Sequence, residues 1–69
     1  MTGYRVVLRF EKDGPAVTGW WDTLAAAERT YTGWIGLYGS RPAAVITLYE
    51  VRDGADRVLK QWPRAADRP

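Results

Sequence analysis

The sequence predicts an α+β fold: a two-layer sandwich in which one helix covers one face of a four-stranded antiparallel sheet, in the order ββαββ. Three observations predict it. Residues 4–11 alternate apolar and polar, residues 24–38 carry apolar side chains every three or four positions, and Asp-Gly pairs stand at 13–14 and 53–54. Period two marks a half-buried strand, period 3.6 an amphipathic helix, and Asp-Gly between apolar runs a hairpin. A single helical stripe shelters one face of one sheet, which gives two layers.

The first strand is the run Tyr4 to Glu11. Tyr4, Val6, Leu8 and Phe10 fall on one side, and Arg5, Val7, Arg9 and Glu11 on the other. Lys12-Asp13-Gly14-Pro15 turns the chain, and Ala16 to Trp21 returns as the second strand. A two-residue loop at Asp13-Gly14 would pair Phe10 with Val17, Leu8 with Gly19 and Val6 with Trp21, all on the apolar side. Proline at a strand start is tolerated at a sheet edge, so this strand is expected there.

Asp22 suits a helix N-cap, because its carboxylate accepts an orphan N–H and meets the positive helix end. The helix then runs to Tyr38 on the stripe Leu24, Ala27, Tyr31, Trp34, Ile35 and Tyr38, with Gly39 as the C′ residue and Pro42 beyond. Gly33 and Gly36 lie inside it. Each costs up to ~1 kcal/mol against Ala, so packing must hold the second half of the helix.

Residues 43–52 form the third strand, Asp53-Gly54 the turn, and residues 56–62 the fourth strand. Both parities of this hairpin are partly apolar. Ile46, Leu48 and Leu59 share one with Glu50, Arg57 and Gln61; Val45, Thr47, Tyr49, Val51, Val58, Lys60 and Trp62 share the other. We place the first set beneath the helix, with Glu50 and Arg57 paired at the rim, because burying Lys60 would cost several kcal/mol unless it were paired. Residues 1–62 thus read as one domain and residues 63–69 as a mobile polar tail.

The uncovered face would then carry Trp20, Tyr49 and Trp62 among Val7, Val45, Val51 and Val58, with Arg5, Arg9 and Lys60 interleaved. Such a patch exceeds what a soluble monomer ordinarily exposes. The tail, a second copy, an unidentified protein partner or a nucleic acid would cover it. Trp, Tyr and Arg dominate protein-binding hot spots. Aromatic platforms also stack bases while neighbouring cations hold phosphates. A net charge of +2 is a weak footprint for nucleic acid. We therefore expect a small non-catalytic protein-interaction module, self-associating or docking a partner through Arg5, Arg9, Trp20, Tyr49, Lys60 and Trp62. Nucleic-acid binding by the same residues is the alternative.

Composition excludes most other chemistry. The 69 residues include no Cys, no His and one serine, Ser40. Thiolate and imidazole metal sites are gone, as are Ser–His and Cys–His nucleophiles. No metal and no cofactor is expected, and the chain is expected not to be an enzyme. Asp53-Gly54-Ala55-Asp56 lacks the six or so oxygen ligands of a calcium loop and reads as a turn. Gly33-Trp34-Ile35-Gly36 spells GxxG, but it falls inside a helix, whereas the nucleic-acid clamp is a loop. The small-residue stripe Ala26, Thr30, Gly33 and Leu37 reads as a solvated helix back. No apolar run reaches the ~20 residues that span a bilayer, and residues 1–5 lack a signal peptide's core. A cytoplasmic location without membrane contact is the expectation.

Overall fold

A computed structural model describes residues 2–11 and 14–63. The elements are β1 (Thr2–Arg9), β2 (Ala16–Trp21), α1 (Leu24–Tyr38), β3 (Val45–Arg52) and β4 (Ala55–Trp62). They form the α+β sandwich that the sequence predicts: one antiparallel sheet of order β2-β1-β3-β4, with α1 against one face. β2 is an edge, as Pro15 requires. Since β1 is antiparallel to both β2 and β3, those two strands run parallel with β1 between them. The chain must therefore cross the sheet from β2 to β3, and α1 is that crossing.

The core comes from the two central strands. Val6 and Leu8 of β1 and Ile46 and Leu48 of β3 are fully buried, beneath Ala27 and Tyr31 of α1. Burying each large aliphatic side chain contributes about 1.5–3 kcal/mol. A rim of Tyr4, Phe10, Trp21, Trp34, Ile35, Tyr38, Leu59 and Trp62 packs around them. Leu24, the first residue of the helical stripe, is exposed.

The first hairpin departs from the expected pairing. Arg9 pairs with Ala16, Leu8 with Val17, Val6 with Gly19 and Tyr4 with Trp21. The connection is residues 10–15, with Gly14 N–H donating to the Glu11 carbonyl at 3.1 Å; Lys12 and Asp13, half of the proposed turn, lie outside the described residues. The register has moved by two residues. An even slip leaves every side chain on its own face, so the inner set stands although each partner changed.

The helix start is also corrected. Thr23, not Asp22, is the N-cap: its backbone is extended (φ −121°, ψ 146°) and its Oγ1 accepts from Ala26 N–H at 3.3 Å. At the other end Gly39 is a right-handed C-cap (φ −63°), not a left-handed C′ residue, and its N–H donates to the Ile35 carbonyl at 2.8 Å.

The 53–54 turn forms as the sequence reads. Arg52 pairs with Ala55, and Asp53 and Gly54 both have positive φ, 51° and 83°. That is the type I′ geometry, which favours Asp-Gly because it matches strand twist.

β4 contains the main surprise. Leu48 pairs with Lys60, but Tyr49 pairs with Val58, so Leu59 has no partner and forms a β-bulge. The extra residue reverses the alternation of side chains beyond it. Leu59 stays against the core as expected, but Lys60 and Trp62 also turn toward the helix, and Gln61 turns away. Of the expected mobile tail, residues 63–69, only Pro63 is described; residues 64–69 lie outside the described residues.

Candidate functional site

The face of the sheet opposite α1 is built row by row from the strand register. Trp20, Arg5, Tyr49 and Val58 stand side by side across the strands; Thr18, Val7, Thr47 and Gln61 form the next row. Ala16, Arg9 and Val45 lie beyond the second row, and Gly3, Val51 and Asp56 beyond the first. A row of tall side chains therefore stands beside a row of short ones. The Trp20–Arg5–Tyr49 row is a ridge. The Thr18–Val7–Thr47 row lies in an open groove of about 800 Å³ whose lining also includes Pro42 and Pro63.

Arg5 organises the ridge. Its guanidinium carbon lies 4.6 Å from the Tyr49 ring centre and 5.7 Å from that of Trp20. Nη2 donates to Asp56 Oδ2 at 2.5 Å. Cation–π contacts at such sites contribute ~0.5–1 kcal/mol each. The ion pair is partly exposed, with side-chain accessibilities of 26% and 41%, and adds under ~1 kcal/mol. Their joint effect is geometric: the cation holds two aromatic rings upright on neighbouring strands. Arg5 Nε is buried and has no hydrogen-bond partner among the described residues. Trp20 stays 61% exposed, although it is the largest side chain on the face.

Four of the six expected site residues share this face: Arg5, Arg9, Trp20 and Tyr49. Arg9 is turned to a structural task, since Nη1 donates to the Gly14 carbonyl at 2.9 Å and ties down the first hairpin loop. Lys60 and Trp62 are placed on the helix side by the bulge. Lys60 Nζ reaches Glu28 Oε2 of α1 at 2.6 Å while both side chains stay open to solvent, so Lys60 faces the helix without the burial that would have been costly. Trp62 lies under the helix end, its Nε1 3.0 Å from where a Cβ on Gly39 would stand. The outward placements of Val7, Val45, Val51 and Val58 agree with the register.

The sequence reading missed Asp56, which anchors Arg5, and Gln61, whose Nε2 donates to Thr47 Oγ1 at 3.3 Å on the open face. One signal pointed to them: Leu59 and Trp62 have opposite parity yet both are apolar, which an unbroken strand with one wet face does not explain.

Among the described residues no group of three or more acidic, Cys or His side chains is placed to hold a metal ion. No described helix is long and apolar enough to cross a membrane. No protein-family model, no curated protein and no solved structure matches this chain.

Proposed function

We propose that this chain is a small non-catalytic interaction module that docks another protein surface onto the open face of its sheet. The observation that carries the reading is the Trp20–Arg5–Tyr49 ridge. It puts the three residue types richest in binding energy on adjacent strands and leaves the indole in water. The ridge is ordered before any partner arrives, because Arg5 is fixed by Asp56 and by both rings. A side chain already held in place loses little further freedom on binding, so more of the contact energy appears as affinity.

Base stacking is the competing reading. It keeps Trp20 and Tyr49 but loses Trp62, which is on the other face. The cations it needs are engaged: Arg5 with Asp56, Arg9 with the Gly14 carbonyl and Lys60 with Glu28. Protein docking asks for no free cations and is the better supported of the two.

Photo-crosslinking tests the proposal. Thr18→p-benzoylphenylalanine puts the probe in the groove, and Leu37→p-benzoylphenylalanine puts it on the 70% exposed back of α1. Irradiation in the native host should give protein adducts from position 18 and none from position 37. Absence of adducts at 18, or nuclease-sensitive adducts alone, overturns protein docking. The nuclease-sensitive outcome would restore the nucleic-acid reading.

A further inference from the structure

We infer that the occupant of the open face is a second copy of this chain, packed sheet against sheet about a two-fold axis that lies across the strands. The inference rests on the docking reading above and names its partner.

The argument begins with the rows. The ridge Trp20–Arg5–Tyr49 and the short row Thr18–Val7–Thr47 use the same three strands, β2, β1 and β3, in the same order. They are neighbours on one face, one side-chain repeat apart, or about 6.8 Å. A two-fold axis in the interface, across the strands and midway between these rows, reverses the order of the rows and leaves each strand facing its own copy. Every ridge residue then meets the short-row residue of its own strand: Trp20 over Thr18, Arg5 over Val7 and Tyr49 over Thr47 of the second copy. The match occurs twice, as an isologous interface requires. The same operation sets the Arg9 row against the Gly3 row, and at its centre the long Arg9 side chain meets a residue without one. An axis along the strands would instead press ridge on ridge.

Area supports the same occupant. Four strands ~4.8 Å apart, each rising ~3.3 Å per residue, present roughly 500 Å² in plan, and two faces about 1,000 Å² before side-chain relief is added. That meets the ~1,000 Å² a biological interface should clear and stays below the ~1,200–2,000 Å² of stable ones, so the dimer is expected to be weak and to form as concentration rises. The product is a four-layer assembly, helix–sheet–sheet–helix, in which Val7, Val45 and Val51 leave water. Sheets packed face to face hold their strands within about 30° of each other, which this arrangement permits.

The experiment is light scattering of the full chain over a wide concentration series, with acrylamide quenching of tryptophan fluorescence, in which Trp20 is the one exposed indole of four, read in parallel. The wild type should approach twice 7.8 kDa as concentration rises, and quenching should fall with the same midpoint. Thr18→Arg, at an exposed position, fills the groove and should hold the chain monomeric at every concentration with an unchanged circular dichroism spectrum. Leu37→Arg on the helix back should dimerise like the wild type. A wild-type mass that stays at the monomer value overturns the inference and needs no variant to fold. Equal effects of Thr18→Arg and Leu37→Arg overturn it as well. A monomeric wild type whose position-18 probe still captures a different protein sinks self-association and leaves the docking face intact. A monomer with no adduct sinks both.

Discussion

Gly19 shows how much one side chain decides in a domain of this size. A Cβ there would fall 2.1 Å from Trp21 Cη2 and 2.6 Å from Cζ3. The Trp21 indole thus folds back along β2 over the space that Gly19 leaves, and meets Trp34 edge-on at 6.3 Å between ring centres. The pair fastens the sheet's edge strand to the helix. Gly19→Ala should push the indole away from Trp34 and cost about 1–3 kcal/mol, as overpacking of a filled site does. Urea unfolding followed by tryptophan fluorescence measures it, and an unchanged midpoint would show that the ring has somewhere else to go. Single residues were also where the sequence was least legible. Asp22 and Thr23 are both good N-caps by type. Thr23 takes the role with an extended backbone and its Oγ1 within reach of Ala26 N–H, a matter of chain direction out of β2 that composition does not encode.

At the scale of elements, the sequence specified faces better than it specified partners. The inward side chains Tyr4, Val6 and Leu8 of β1, and Phe10 just beyond it, were readable from alternation, and a register moved by two residues could not disturb them. In β4 the same logic failed, because alternation counts residues and the bulge at Leu59 adds one. That single irregularity accounts for both misplaced site residues, Lys60 and Trp62, while Arg5, Arg9, Trp20 and Tyr49, which lie on unbroken strands, stand on the face where alternation puts them. The helix was read correctly in extent despite two internal glycines. A Cβ on Gly33 or Gly36 would meet nothing within 4 Å among the described residues, so neither glycine makes room for another part of the described chain. Gly33→Ala and Gly36→Ala should therefore each stabilise the domain, by up to ~1 kcal/mol, through helix propensity. Thermal melts would show it as a higher midpoint for each variant, and a lower midpoint would mean that the back of α1 is covered by something.

For the molecule as a whole, size governs the consequences. A chain of 69 residues without a disulfide rarely holds more than about 3–5 kcal/mol of net stability. Four fully buried aliphatic side chains on two strands supply most of its centre, so removing part of one tests the entire fold. Leu48→Ala should cost about 2–5 kcal/mol, comparable with everything available, and leave a largely unfolded chain; Ile46→Val should cost about 0.5–1.5 kcal/mol and leave a folded one. The milder variant is the more informative, because it links stability to assembly. If two copies close over the open faces, native chains are held by their partner and the melting midpoint rises with protein concentration. Ile46→Val lies on the opposite side of the sheet from that interface. It should lower the midpoint by a similar amount at every concentration and leave the slope against log concentration as in the wild type. Thr18→Arg should do the reverse, abolishing the slope while leaving the dilute-limit midpoint in place. A concentration-independent wild-type midpoint would mean that no second copy closes over the open face, and that the fold is held by contacts within one chain alone.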